Sequence, residues 1–179
     1  MEIIEKNIPI GFGISGIQMG SPQGIPTLAC HGWLDNAASF HGLGPELVGL
    51  NLVALDSAGH GKSGHREGGA EYHFVDWVPD LLNTADYLGF KSFGMIGHSM
   101  GCGIATLVAG SQPERLKFLV LIDGLAPLTA PASEMPDRVV RRMIATEKLS
   151  KKTAPVYSSI EDAIATRKMA GSFINEDVI

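Results

Sequence analysis

Gly97-His98-Ser99-Met100-Gly101 sets a hydroxyl between two glycines where one apolar segment ends and another begins. Residues 92–96 read as a strand, and residues 99–109, small and apolar, as a helix. A serine on such a strand-to-helix turn, with glycine two positions before and two after, matches the G-x-S-x-G elbow. The glycines answer a need for space, because a Cβ at Gly97 or Gly101 would collide with the neighbouring strand or helix. Such a turn holds Ser99 Oγ out at the carboxyl edge of a sheet and aims the first amides of the next helix at an attacked carbonyl. The chemistry this predicts is acyl transfer.

Acyl transfer needs a nucleophile, a base, an acid that orients the base, and N–H donors for the oxyanion. Ser99 is the expected nucleophile, and the backbone amides of Met100 and Trp33 are the expected donors, each worth roughly 3–4 kcal/mol. Trp33 lies in the loop after a strand ending at Cys30, and Gly32 beside it lets that loop approach the serine. Asp123, at the end of the strand after the elbow helix, is the candidate acid, with a turn-capping role beside Gly124 as its alternative. The base is harder to place. In the doubly wound hydrolytic arrangement the chain order is serine, acid, histidine, but the six histidines (His31, His41, His60, His65, His73 and His98) all precede Ser99. His31 reads as a support for the oxyanion loop, His98 should point away from the turn, and His60 and His65 are loop residues at the right edge of the sheet. Asp56, which also precedes the serine, reads as structural.

Two nucleotide patterns fail on spacing. Gly11-x-Gly13-x-x-Gly16 is followed by Gly20, Pro22, Gly24 and Pro26, so no helix terminus is there to receive a pyrophosphate. Gly61-Lys62-Ser63 has Asp56 where a phosphate loop needs glycine. No cofactor and no metal are expected.

The elements that must hold these residues follow from periodicity. Strands are expected over residues 3–10, 12–19, 25–30, 51–55, 92–96 and 116–122, and short helices over 39–48 and 72–88, with Pro79 kinking the second or resetting its start. Short, nearly all-apolar strands separated by helices predict a parallel sheet covered on both faces. From Ala126 the texture changes: Pro127, Pro131 and Pro136 bracket a linker, a basic amphipathic helix is expected over 137–149, and Ser159 opens a last helix through Ala170.

With 179 residues, 45% hydrophobic and 18% charged, the chain reads as globular. So low a charge fraction hints that part of the exterior expects a partner or further sequence. A net charge of -5 without an arginine-rich stripe argues against nucleic acid. Residues 1–10 resemble neither a signal peptide nor a membrane span. Cys30 and Cys102 read as buried thiols of an intracellular protein, assigned to the cytoplasm.

Three stretches, LACHGWLDNAASFHGLGPEL (28–47), LVALDSAGHGKSGHR (52–66) and FGMIGHSMGCGIATLVAGSQPERLKFLVLIDG (93–124), together resemble the α/β-hydrolase superfamily, and within it the serine hydrolase-like branch. The resemblance implies an α/β-hydrolase fold, a mostly parallel sheet with helices on both faces. Ser99 would be the nucleophile, Trp33 and Met100 the oxyanion donors, and Gly59-His60-Gly61 a loop beside the pocket. Serine rather than aspartate at the elbow implies ester, thioester or amide chemistry on a small-molecule acyl substrate. The family inserts a helical lid after the strand ending at Asp123, and its domain normally continues through further strands to a late histidine. On that basis residues 1–126 are expected to be the amino-terminal part of the core and 127–179 an incomplete lid, the fold being truncated within it and the isolated chain lacking its base. The alternative is a non-catalytic scaffold of the same fold that binds a partner or ligand. Trp33, Phe40 and Met100 suggest an apolar acyl pocket, with core packing the equal alternative for each.

Overall fold

The computed structural model describes residues 3–67, 72–127, 129–151, 153 and 155–169. The chain divides into two compact units, Met1–Leu128 and Thr129–Ile179.

The first unit is built on a six-stranded sheet. Its strands are β1 (Ile4–Ile8), β2 (Ile14–Gly20), β3 (Ile25–Cys30), β4 (Leu50–Leu55), β5 (Phe93–His98) and β6 (Leu116–Ile122), in the order β1-β2-β4-β3-β5-β6. The pairs β4/β3, β3/β5 and β5/β6 are parallel, whereas β1/β2 and β2/β4 are antiparallel. The sheet is therefore mixed and mostly parallel, as the unbroken apolar runs of β3, β4 and β5 require.

Alternation along these strands divides the core in two. Leu28 and Cys30, Val53 and Leu55, and Phe93 and Met95 face helices α1 (Trp77–Tyr87) and α2 (Met100–Ser111), packing against Trp77, Leu81, Met100, Ile104 and Val108. Ala29, Leu52, Ala54 and Ile96 face the other way, against Ala37 and Phe40. Complete burial of a side chain such as Leu28 or Phe93 contributes roughly 1.5–3 kcal/mol.

That second face departs from expectation. In place of one helix over 39–48 there are two single 3-10 turns, Ala37–Phe40 and Gly44–Glu46. Gly42, Gly44 and Pro45 break the helix, and Gly44 is pressed so close to Met19 that a Cβ there would lie 2.5 Å from its Sδ. In α1, by contrast, Pro79 falls within the first turn, where its missing N–H has no intrahelical partner to lose. A 3-10 turn at Phe74–Asp76 precedes it, so the proline resets the helix start. Strand β6 is also less covered than its pattern suggests: Leu119, Val120 and Ile122 are 37%, 43% and 38% exposed.

The second unit carries α3 (Met135–Ser150) and α4 (Ile160–Met169). Pro136 lies inside the first turn of α3 and does not stand before it, again at a position that tolerates proline. Met135, Val139, Val140, Met143 and Ile144 recur along one exposed apolar stripe of α3. The Ser159 hydroxyl accepts from the Asp162 amide at 3.1 Å, capping α4. Ala170, where that helix was expected to end, lies outside the described residues. No helix among the described residues is long and apolar enough to cross a membrane.

Candidate active site

Parallel strands β3, β5 and β6 all deliver their carboxyl ends to one edge of the sheet, and at each end the backbone turns through a left-handed residue. Leu34 has φ 57°, Ser99 φ 49° and Asp123 φ 55°. These are the three non-glycine residues with positive φ among those described. Such conformations cost about 1–3 kcal/mol each and persist only where the surroundings over-determine them. At Ser99 the constraint comes from the neighbouring backbone. The Ser99 amide donates to Ile122 O at 2.9 Å, the Cys102 amide donates to Ser99 O at 2.9 Å, and the Cys102 thiol lies 3.1 Å from Gly97 O and 3.2 Å from Ile122 O.

The glycines around the turn permit close packing. A Cβ on Gly97 would lie 2.6 Å from Gly101 O, and one on Gly101 would run into the carbonyl oxygen of Cys30. A Cβ on Gly32 would come 3.1 Å from His98 Nδ1 and 3.5 Å from Ser99 Cβ, so the loop after β3 abuts the turn.

Ser99, Met100, Trp33 and Asp123 line one cavity of about 380 Å3. Met100 is the first residue of α2, so its amide has no intrahelical acceptor, and the Trp33 amide has no backbone acceptor among the described residues. The rest of the wall is chiefly aromatic: Tyr72, Phe74 and Trp77. Reading residues 72–88 as one amphipathic helix hid these three; the available signal was three aromatic residues within six positions. Phe40, expected in an apolar acyl pocket, is instead buried on the opposite face of the sheet with Ala29 and Leu52.

None of the six histidines lines this cavity. His31 is fully buried; its Nδ1 lies 2.7 Å from Gly32 O, and its Nε2 accepts from the Ser57 amide at 3.0 Å. It therefore ties the loop after β3 to the loop after β4, and burial pulls its imidazole below its ordinary pKa. The His60 ring stands 5.4 Å edge-on from Trp33 and 6.2 Å from Trp77, behind the wall they form. His65 Nδ1 lies 3.5 Å from the Tyr72 hydroxyl.

Asp56 is a buried pin: its carboxylate accepts from the Ala37 amide at 2.7 Å and the Lys62 amide at 2.8 Å. Gly61 is packed against that carboxylate with φ 51°, and Gly11 and Gly13 form the turn between β1 and β2. The glycines of both nucleotide-like patterns thus serve turns and close packing. Among the described residues no three His, Cys, Asp or Glu side chains gather so as to hold a metal ion. Cys30 and Cys102 are both buried and free, and burial pushes the Cys30 thiol up to about 12.

Comparison with known proteins matches residues 26–152 to the family described as alpha/beta hydrolase fold. A serine hydrolase-like protein of Dictyostelium discoideum is 38% identical over 131 residues, which cover 72% of this chain and 36% of that protein. The human serine hydrolase-like protein is 36% identical over 123 residues, covering 68% of this chain and 61% of its own length. Among solved structures, a hypothetical protein of Pseudomonas aeruginosa PAO1 superposes with a TM-score of 0.88 at 42% identity, over 98% of this chain and 62% of that one. In each case the chain spans less than two thirds of the protein it resembles.

Proposed function

The chain belongs to the α/β-hydrolase fold family, and from that premise we propose that it carries the nucleophile and the oxyanion site of a serine hydrolase acting on a carboxylic ester or related acyl substrate. The observation that supports this most directly is the convergence of Ser99, Trp33, Met100 and Asp123 on one cavity from three strand ends. Ser99 Oγ attacks the substrate carbonyl carbon while its proton passes to a base. The carbonyl oxygen, now negative, is held by the amides of Trp33 and Met100. The tetrahedral intermediate collapses, the alcohol, thiol or amine leaves with a proton, and an acyl group remains on Ser99. Water, deprotonated by the same base, then releases the carboxylic acid and restores the serine. No cofactor enters these steps.

Asp123 is assigned the orienting and charge-balancing role toward the base. We assign the base to none of the six histidines of this chain, a reading supported by their absence from the cavity lining, and on that reading these 179 residues alone turn substrate over slowly. Residues 127–179 are assigned to a lid segment. The missing base also favours a second reading, a scaffold that keeps the turn and binds a ligand without chemistry.

Labelling with a fluorophosphonate separates the two, carried out on this chain with and without added imidazole as a surrogate base. Labelling that imidazole accelerates and Ser99→Ala abolishes is the expected result. No Ser99-dependent labelling under either condition would leave the scaffold.

A further inference from the structure

The lining of the cavity specifies what it accepts. Apart from Ser99 and Asp123 the polar side chains of its described walls are engaged elsewhere: the Tyr72 hydroxyl accepts from the Arg66 amide at 2.9 Å and lies 3.5 Å from His65 Nδ1, and Trp77 Nε1 donates to Ala58 O at 3.3 Å. Among the described residues no lysine, arginine or histidine lines it. A carboxylate or phosphate on the bound acyl group would therefore face Asp123 with no cation to pair with.

The aromatic wall is also fixed in place. Trp77 is only 3% exposed and stacks with Tyr72 at 5.9 Å and 19°, while Phe74 meets it edge-on at 6.1 Å and 86°. Phe74 leans onto α2 at Gly103, where a Cβ would lie 2.8 Å from its Cε1, so the absence of a side chain there makes room for the ring. Trp33 stands opposite in its accessibility, 61% exposed. About 380 Å3 is at the small end for a ligand pocket.

We infer that the acyl group presented to Ser99 is compact, uncharged and aromatic, seated against Tyr72, Phe74 and Trp77 with Trp33 over its outer edge. The inference rests on the serine-hydrolase reading for the word acyl, but the recognition it describes belongs to the cavity and does not need the reaction. A ring finds there the offset and edge-on partners that aromatic groups favour over aliphatic ones. A quaternary ammonium group would also be drawn to aromatic rings and a carboxylate. Stacking of Tyr72 on Trp77 turns a face of each ring toward the other instead of toward the space between them, which disfavours a cation cage.

The chain's two tryptophans, Trp33 and Trp77, both line the cavity, so intrinsic fluorescence reports on it directly. Ser99→Ala is titrated with methyl ketones that mimic the acyl part: benzylacetone, levulinate, the matching trimethylammonium ketone, and methyl hexyl ketone. Benzylacetone is expected to quench saturably with a Kd about tenfold below each of the others, and Trp33→Ala, made in the same background, to raise that Kd severalfold. Equal or tighter binding of any of the other three, or no saturable quenching by benzylacetone, overturns the inference. Fluorophosphonate labelling of the unsubstituted chain separates the two levels. If Ser99 fails to label while benzylacetone still ranks first, the catalytic reading falls alone; if the ranking fails while Ser99 labels, the aromatic preference falls alone.

Discussion

The amide of Ser99 donates to the carbonyl of Ile122 at 2.9 Å, so the turn that carries the hydroxyl is tied to the last residue before Asp123. The Cys102 thiol reaches the same carbonyl at 3.2 Å. One strand end thereby fixes both the serine and the carboxylate that share its cavity.

If Ser99 is the nucleophile, its hydroxyl is the single group whose loss removes the reaction. Once the hydrolysis that imidazole catalyses without protein is subtracted, turnover of a nitrophenyl ester by this chain is expected to rise with imidazole concentration, and Ser99→Ala to lower that protein-dependent part by roughly a thousandfold or more. Release of nitrophenol, followed by absorbance, measures it.

Asp123 tests the assigned acid. Asparagine tolerates left-handed backbone, so Asp123→Asn should preserve the turn and leave stability within about 0.5 kcal/mol. In this chain the same change is expected to lower the imidazole-dependent hydrolysis of a nitrophenyl ester by roughly tenfold or more, because the carboxylate that orients the base is lost. Steady-state kinetics beside thermal unfolding of the same preparation distinguishes a lost charge from a lost fold.

Packing at the turn predicts a contrast between two glycines. Gly101→Ala drives a Cβ into the Cys30 carbonyl, whereas Gly42→Ala meets nothing within 4 Å. The first should cost about 1–3 kcal/mol or more and lower Tm by several degrees; the second should stay within about 0.5 kcal/mol. Equal Tm values for the two variants would contradict the close approach of α2 to β3.

His31 makes stability depend on pH. Burial holds its folded pKa below the ordinary value of about 6.5, so the unfolded chain takes up the proton first as pH falls. Its contribution is complete above about pH 6.5 and is lost as pH drops from there through the folded value. Carbonyl bonding to Gly32 and the charges of Asp35 and Asp56 oppose the shift, and His60 adds to it. Thermal unfolding should show Tm falling on acidification, with a shallower fall in His31→Gln, which begins from a lower Tm because the Ser57 and Gly32 contacts are lost.

The two thiols should be silent in the native state. With Cys30 pushed up to about 12 and both side chains buried, about one Cys30 in ten thousand would be ionised at pH 8 even if reagent could reach it. A colorimetric thiol reagent is expected to find no reactive cysteine before unfolding and both after it.

Local pattern was enough to locate the strands and the serine turn. Residues 25–30 and 116–122 are strands with those bounds, because each apolar run is too short for a helix and is bounded by turn-forming residues. Spacing alone also put Ser99, Trp33, Met100 and Asp123 at strand ends, and ruled out both nucleotide patterns. Where several weak preferences compete, the sequence was less decisive: residues 39–48 have helical apolar spacing, yet the contact of Gly44 with Met19 and the ring of Pro45 leave two 3-10 turns.

Which residues share a space is settled by long-range packing. Phe40 and Trp33 are both aromatic and seven positions apart, but the 3-10 turn Ala37–Phe40 carries one to the far core and the loop after β3 leaves the other at the cavity. Tyr72, Phe74 and Trp77 reach Ser99 because α1 and α2 pack on the same face of the sheet, a long-range consequence that no local window contains. The sequence determined which groups could do chemistry; the side-by-side carboxyl ends of β3, β5 and β6 determined which of them meet.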